Sequence, residues 1–194
     1  MSQSNKTHIL VEGAAMVALA TVLSFIRVFK LPWGGSITLL SMLPIVLFSI
    51  RRGIGAGLIV SFVFSLIQFA QGIMDGLFGW GLTPGMLVAC ILLDYILAFT
   101  VLGIAGIFKD KGFSGWISGI TLAITSRFLL HVISGYVIWH SFGELWSDFF
   151  IENSLLYSLA YNACYMLPEL IFTLIASVEL FKVPQAKKVI VKAN

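Results

Sequence analysis

One carboxylate and two basic side chains fall within stretches of the chain that are otherwise apolar. Asp94 lies in the run 87–99, and Arg127 and His131 lie in a later apolar run. An ionised side chain at the centre of a bilayer costs about 2.5 kcal/mol or more, so such residues usually face a polar partner, a wet cavity or a ligand. The sequence leaves open whether Asp94 serves the fold or a substrate.

Four residues at intervals of four form a stripe on the predicted helix that contains Arg127. They are Arg127, His131, Gly135 and Trp139. Residues i and i+4 lie on one face of a helix, so a guanidinium, an imidazole, a position with no side chain and an indole follow one another. The gap at Gly135 favours room for a small molecule. The alternative is a packing groove, with Arg127 paired for structural reasons.

The last apolar run carries a second stripe, in which Tyr157, Tyr161 and Tyr165 are again four residues apart. Such tyrosines more often pack or anchor at an interface. Asn162, on an adjoining face, is more informative because an amide in lipid needs a hydrogen-bond partner, although contacts between helices can supply one. The role of Glu169, further along, is open.

The composition is that of an all-α membrane protein. Apolar residues make up 59% of the 194 residues, charged residues 11%, and the mean hydropathy is +0.99, whereas soluble domains average about 25% charged residues. We predict one domain over residues 1–194. The second predicted span is short and contains Pro44, so we expect a broken or steeply placed helix there. Six spans of suitable length are predicted, at about 9–28, 36–50, 54–70, 87–107, 117–138 and 155–181.

The basic residues predict the orientation of these spans. Nine Lys and Arg residues fall on the side that holds both termini, two on the other side (Arg27 and Lys30), and Arg127 lies within a span. Basic residues concentrate in cytoplasmic loops. Both termini are therefore predicted to be cytoplasmic.

With this orientation, several polar side chains reach a similar depth from the outer surface. If the fourth span enters at Leu87, Asp94 lies about 10 Å inside, and His131 lies at a similar depth. Asp94, His131, Tyr157 and Asn162 could then line one outward-facing pocket. An acid, aromatic rings, an amide and an imidazole suit a small, flat, cationic ligand that is rich in nitrogen. We expect Asp94 to be balanced by water in the empty pocket and by the ligand in the filled one.

Ala14 and Ala18 are four residues apart in the first span, beside Gly13. Small residues at this spacing let another helix approach closely. The pattern indicates either packing within the protein or a docking face for another membrane subunit.

The sequence argues against several other classes of protein. It has no Walker A motif for ATP, no His-Glu-x-x-His and no Gly-x-Ser-x-Gly. Its positive charges are not grouped into a nucleic-acid patch, and we expect no metal site and no catalytic residue. An intramembrane hydrolase that uses Ser134 or Ser158 with His131 and Asp94 ranks low, because no oxyanion arrangement is visible.

Six short blocks resemble the thiamin-specific substrate-binding subunits, the ThiT or YuaJ family, of the energy-coupling factor transporters. They follow the family order over nearly the whole chain. The blocks are Pro32-Trp-Gly-Gly-Ser36, Met42-Leu-Pro-Ile45, Arg51-Arg-Gly-Ile-Gly-Ala-Gly57, Leu92-Leu-Asp-Tyr95, His131-Val-Ile-Ser-Gly135 and Tyr157-Ser-Leu-Ala-Tyr-Asn162.

The resemblance implies a multi-pass protein of a prokaryotic cell membrane with an outward-facing thiamin site. It implies a docking role for Ala14 and Ala18 on a transmembrane coupling protein, which works with two cytoplasmic ATPase subunits. The subunit itself is expected to need no cofactor. A subunit for another vitamin or for a thiamin precursor is the alternative. The implied ligand-lining residues are Asp94, Tyr95, His131, Gly135, Trp139, Tyr157 and Asn162, with Arg127 and Trp33 beside them.

Overall fold

Helices make up most of the chain in the computed structural model, which describes residues 3–31, 34–141, 143–146 and 149–191. Helix α1 is Gln3–Phe25, α2 is Leu43–Arg52 and α3 is Ile54–Met74. Helix α4 runs over residues 84–111 and α5 over residues 112–139, each with changes of helical type along its length. Helix α6 is Ser154–Lys182, and the short α7 is Pro184–Val191.

Two short antiparallel hairpins, which we did not predict, lie in the connections at one end of the helices. Strand β1 (Arg27–Lys30) pairs with β2 (Ser36–Thr38), and β3 (Gly143–Trp146) pairs with β4 (Phe149–Ile151). We call this the hairpin end.

The predicted spans match the helices except at two places. Helix α1 stops at Phe25, and Val28 belongs to β1. The second predicted span, 36–50, is wrong in its first half because residues 36–38 form β2. Helix α2 has only 10 residues, about 15 Å at 1.5 Å per residue, which is less than the hydrocarbon core of a bilayer. Pro44 is the second residue of this helix, in the first turn, where its missing N–H has no partner to lose, and it does not break the helix.

The exposed surface of the helices is apolar, and small polar residues are buried where the helices meet. Leu19, Phe62 and Leu129 are exposed, whereas Ser61 and Thr173 are fully buried. Membrane helices associate through small and hydroxyl-bearing residues because lipid already solvates apolar ones. Four helical stretches are long and apolar enough to cross a membrane, and one of them, Pro84–Trp139, contains both α4 and α5.

Glycines let the helices touch backbone to backbone. At Gly112, φ is 67°, a left-handed conformation that glycine adopts without steric cost, and it turns the chain from α4 into α5. A Cβ on Gly119 of α5 would stand 2.1 Å from the Ala105 carbonyl oxygen of α4. The two helices therefore pack as an antiparallel pair with no side chain between them.

We expect Gly119→Ala to destabilise the protein by about 1 to 3 kcal/mol, because α4 and α5 must separate to admit the methyl group. Thermal unfolding in detergent measures the effect. Gly55→Ala is the matched control, since a Cβ there meets nothing within 4 Å and Ala is the better helix former. Equal midpoints for the two variants would contradict this account of the packing.

Candidate functional site

A cavity of about 410 Å³ lies between α3, α4, α5 and α6, and the first hairpin contributes to its wall. This volume falls within the range of small-molecule sites. Trp33 lies outside the described residues. The other eight predicted ligand residues all line this cavity: Asp94, Tyr95, Arg127, His131, Gly135, Trp139, Tyr157 and Asn162. Their contact with a ligand stays a prediction.

Three protein groups hold the Asp94 carboxylate. His131 Nδ1 lies 3.0 Å from Oδ1, the Ser134 hydroxyl donates to Oδ2 at 2.5 Å, and the Cys90 thiol lies 3.4 Å from Oδ2. Hydrogen bonds to an ionised acceptor are among the strong ones. Asp94 thus receives from the protein the donors that we expected water to supply, and one of its four acceptor positions is left over.

Arg127 reaches Asp94 only through the ring of His131. Its Nε donates to His131 Nε2 at 3.3 Å, and this requires a lone pair on Nε2. The proton of the neutral imidazole is therefore on Nδ1, from which it is donated to Asp94. The guanidinium lies 4.0 Å from the centre of the Phe99 ring, and its Nη1 lies 2.9 Å from the Met42 sulfur. No carboxylate in the described part of the chain lies within 4.0 Å of it.

Two π-helical segments border the cavity, and neither was predicted. Asp94 lies within Ile91–Leu97, and Trp139 ends the segment Gly135–Trp139. Wider turns of this type occur mostly as single insertions within α-helices, often at functional sites. Here they change the direction of the side chains on α4 and α5 where both helices face the cavity.

Helix α6 packs closely against Gly135, where we predicted a gap. A Cβ on Gly135 would stand 2.2 Å from the Ser158 hydroxyl oxygen, and that hydroxyl donates to the Val132 carbonyl at 2.9 Å. Gly135 borders the cavity, but its missing side chain serves the close approach of α5 and α6. This packing of α6 is not visible from a single helix, and the prediction that Gly135 leaves room for a ligand stays a prediction.

The tyrosine stripe of α6 forms one wall of the cavity. The Tyr157 and Tyr161 rings are stacked, with centroids 6.4 Å apart and planes at 6°. Tyr165 donates to Asn162 Oδ1 at 2.5 Å, and Asn162 Nδ2 donates to the Ser158 carbonyl at 2.8 Å. The amide therefore has partners within its own helix, and these fix the direction in which Asn162 points.

Sequence reasoning missed other lining residues. Trp80 meets Trp139 edge to face, with ring centroids 5.6 Å apart. Gln68 and Gln71 of α3 also line the cavity, and the signal that we did not use was a pair of amides within an apolar run. Gln71 Nε2 donates to Ser24 Oγ at 2.7 Å, so α3 and α1 are joined at the wall.

An ion cluster ties the first hairpin to the end of α3 at the edge of the cavity. The Arg27 guanidinium makes two hydrogen bonds to Asp75, at 2.9 and 2.6 Å, and the Lys30 ammonium lies 3.3 Å from the same carboxylate. Through its hydrogen bonds, the guanidinium holds the pKa of the Asp75 carboxyl below its usual range. These ion pairs hold the first hairpin against the end of α3. A second tie joins the hairpin to α6, because the Gly35 N–H donates to the Tyr161 hydroxyl at 3.1 Å.

We expect Asp75→Asn to lower the thermal midpoint at about pH 7 and to make progressively less difference as the pH is lowered below about 4. Because the folded pKa lies below the unfolded value of about 3.9, this stabilisation is complete above that value and is lost as the pH falls through the folded pKa. The effect should be small, about 1 kcal/mol or less, because the pair is partly exposed. Asp110→Asn is the control for removing an exposed aspartate, and an Asp75→Asn deficit that persisted in acid would refute the assignment.

The two serines of the hydrolase alternative do not meet the imidazole. Ser134 donates to Asp94, and Ser158 donates to a backbone carbonyl. A serine nucleophile needs the histidine base as its hydrogen-bond partner, with the acid on the far side of the ring. Here the acid bonds both the serine and the histidine, so the order of a catalytic triad is absent.

Comparison with known proteins identifies the family. The family model for the thiamine transporter protein, Thia_YuaJ, matches residues 10–189. The chain belongs to this family. It is 34% identical over 195 residues to the thiamine transporter ThiT of Bacillus subtilis (strain 168), a match that covers 93% of this chain and 94% of that protein. A solved structure of ThiT from Listeria monocytogenes has the same fold, with a TM-score of 0.71 at 24% identity, covering 93% of this chain and 97% of that one.

These matches confirm the predicted family and the all-α, multi-pass membrane fold. The matched family and the Bacillus relative are named as transporters. This supports the prediction that the chain acts in transport and not as an enzyme.

Proposed function

We propose that this protein is the thiamin-binding subunit of an energy-coupling factor transporter and that it captures thiamin in the cavity described above. The observation that carries the proposal is the convergence of all eight described candidate residues, which come from α4, α5 and α6, on one cavity. The family match supports the substrate. A precursor or another vitamin is the alternative occupant.

Each end of the ligand has a group of matching chemistry. Trp139 stacks on a ring, where the face of an indole attracts a cation. Asp94 offers its remaining acceptor position to the amino-bearing ring, and His131, Tyr157 and Asn162 lie around it. Because Ser134 and His131 already fix the Asp94 carboxylate, little side-chain entropy is lost when the ligand binds.

The coupling partners are proposed from the outer face of α1. Ala14 and Ala18 are exposed, whereas Gly13 is buried, its Cβ position 2.7 Å from Val60. The small residues therefore face away from the other helices. We propose that the transmembrane coupling protein docks there and that two cytoplasmic ATPases drive reorientation of the subunit, with both termini cytoplasmic and the cavity outward.

Titration of the purified protein with thiamin, followed by tryptophan fluorescence, tests the binding site. Trp80 and Trp139 border the cavity, so binding should quench emission at submicromolar thiamin. Asp94→Asn and Trp139→Ala should each weaken binding by about tenfold or more, since a charge-assisted hydrogen bond or a buried aromatic contact contributes roughly 1.5 kcal/mol or more.

Asp110→Asn, an exposed aspartate far from the cavity, should leave this titration unchanged. Saturable binding of riboflavin or biotin with no response to thiamin would sink the proposal, and so would release of a cleavage product.

Substitution of Trp for both Ala14 and Ala18 tests the docking face. The double variant should still bind thiamin when purified, but thiamin uptake should fall strongly in cells that express the coupling protein and the ATPases, because a bulky side chain holds the helices apart. Leu129→Trp places the same bulk on another exposed face and should leave uptake intact. Normal uptake by the double variant would exclude this surface.

A further inference from the structure

Glu169 is a buried carboxylate of the cavity wall that the proposed binding scheme does not use. It lies on α6, is 3% exposed and lines the cavity. It also continues the tyrosine stripe, four residues after Tyr165, at a distance of about 18 Å along the helix from Tyr157. It therefore lies about three turns further along α6 than Tyr157, where this helix meets Thr38 of the first hairpin.

Both hydrogen bonds that described residues make to Glu169 go to one of its oxygens. The backbone N–H and the hydroxyl of Thr38 both donate to Oε1, the hydroxyl at 2.6 Å, and Ser41 Oγ lies 2.7 Å from that hydroxyl. No described residue donates to Oε2. Oε2 is not among the fully buried side-chain atoms that lack a partner, and Glu169 lines the cavity, so this oxygen is open to a donor or a cation from within the cavity.

The charged residues that line the cavity include one more carboxylate than guanidinium groups. Arg27 and Asp75 neutralise each other at the edge. Among the remaining described lining residues, Arg127 is the one cation against two carboxylates, and its hydrogen bond to His131 directs it towards Asp94. Glu169 shares this cation with Asp94, since the charges of Arg127 and Glu169 act on each other, so the two carboxylates keep one negative charge between them. A ligand with a single positive charge would make this part of the membrane interior neutral.

We infer that Glu169 selects for positive charge on the ligand, with its free carboxylate oxygen turned to the cavity. The inference rests on the proposed function, since thiamin carries one permanent positive charge on its thiazolium ring. In an interior of low dielectric constant, this attraction is far stronger than it would be in water.

Glu169→Gln separates charge from structure, because the amide oxygen still accepts from Thr38 while the charge is removed. Binding of thiamin and of a neutral analogue, in which a benzene ring replaces the thiazolium, is measured by calorimetry on both proteins. Glu169→Gln should weaken thiamin about tenfold or more and leave the analogue within about twofold. Glu179→Gln, on an exposed face of the same helix, should change neither.

Two results would overturn the inference while leaving the proposed function standing. One is an unchanged thiamin affinity in Glu169→Gln. The other is an equal loss of affinity for thiamin and the analogue, because Glu169 would then only support Thr38. Failure of the wild-type protein to bind thiamin would overturn both. If Glu169→Gln does not fold, a wild-type protein that binds the neutral analogue as tightly as thiamin would still overturn the inference, which requires a preference of about tenfold or more. Glu169→Asp, which keeps the charge, should retain part of that preference.

Discussion

The structure depends on how a carboxylate is kept inside a membrane. Asp94 is held by His131 and Ser134 from the neighbouring helix, and His131 in turn accepts from Arg127. This chain of donors joins α4 to α5 and fixes the imidazole in one tautomer. An isolated acid in lipid would be driven to take up a proton. Here donors from His131, Ser134 and Cys90 surround the carboxyl group, and they allow a polar cavity among apolar helices.

The donor chain works only because the helices approach closely. A Cβ on Gly119 would meet the Ala105 carbonyl of α4, and a Cβ on Gly135 would meet the Ser158 hydroxyl of α6, so glycine at both positions lets α5 lie close to its neighbours. The cavity is bounded by groups that are already bonded to one another, such as Tyr165 with Asn162 and Gln71 with Ser24, so a ligand meets a wall that is already ordered.

Much of the fold and of the site could be predicted from the sequence. Long apolar runs locate five of the six main helices within a few residues, because hydrophobic length is a strong constraint in lipid. Polar residues within those runs locate the site, because burial in lipid is tolerated only for a reason. The second span misled because residues 36–38, Ser-Ile-Thr, carry no charge and come shortly before an apolar run, yet pair with Arg27–Lys30 in a hairpin. Such pairing depends on a partner strand that periodicity alone does not identify.

The sequence by itself determined the membrane class, the helical elements and the identity of the polar residues that had to meet. Composition, the length of the apolar runs and the spacing of residues along each helix were sufficient for those conclusions. Only the tertiary structure decided which groups meet: Ser134 on Asp94, Ser158 against Gly135, and Thr38 on one oxygen of Glu169. These contacts join residues that are up to 131 positions apart in the chain, and they are set by the distance between helices, which depends on all the packed side chains at once.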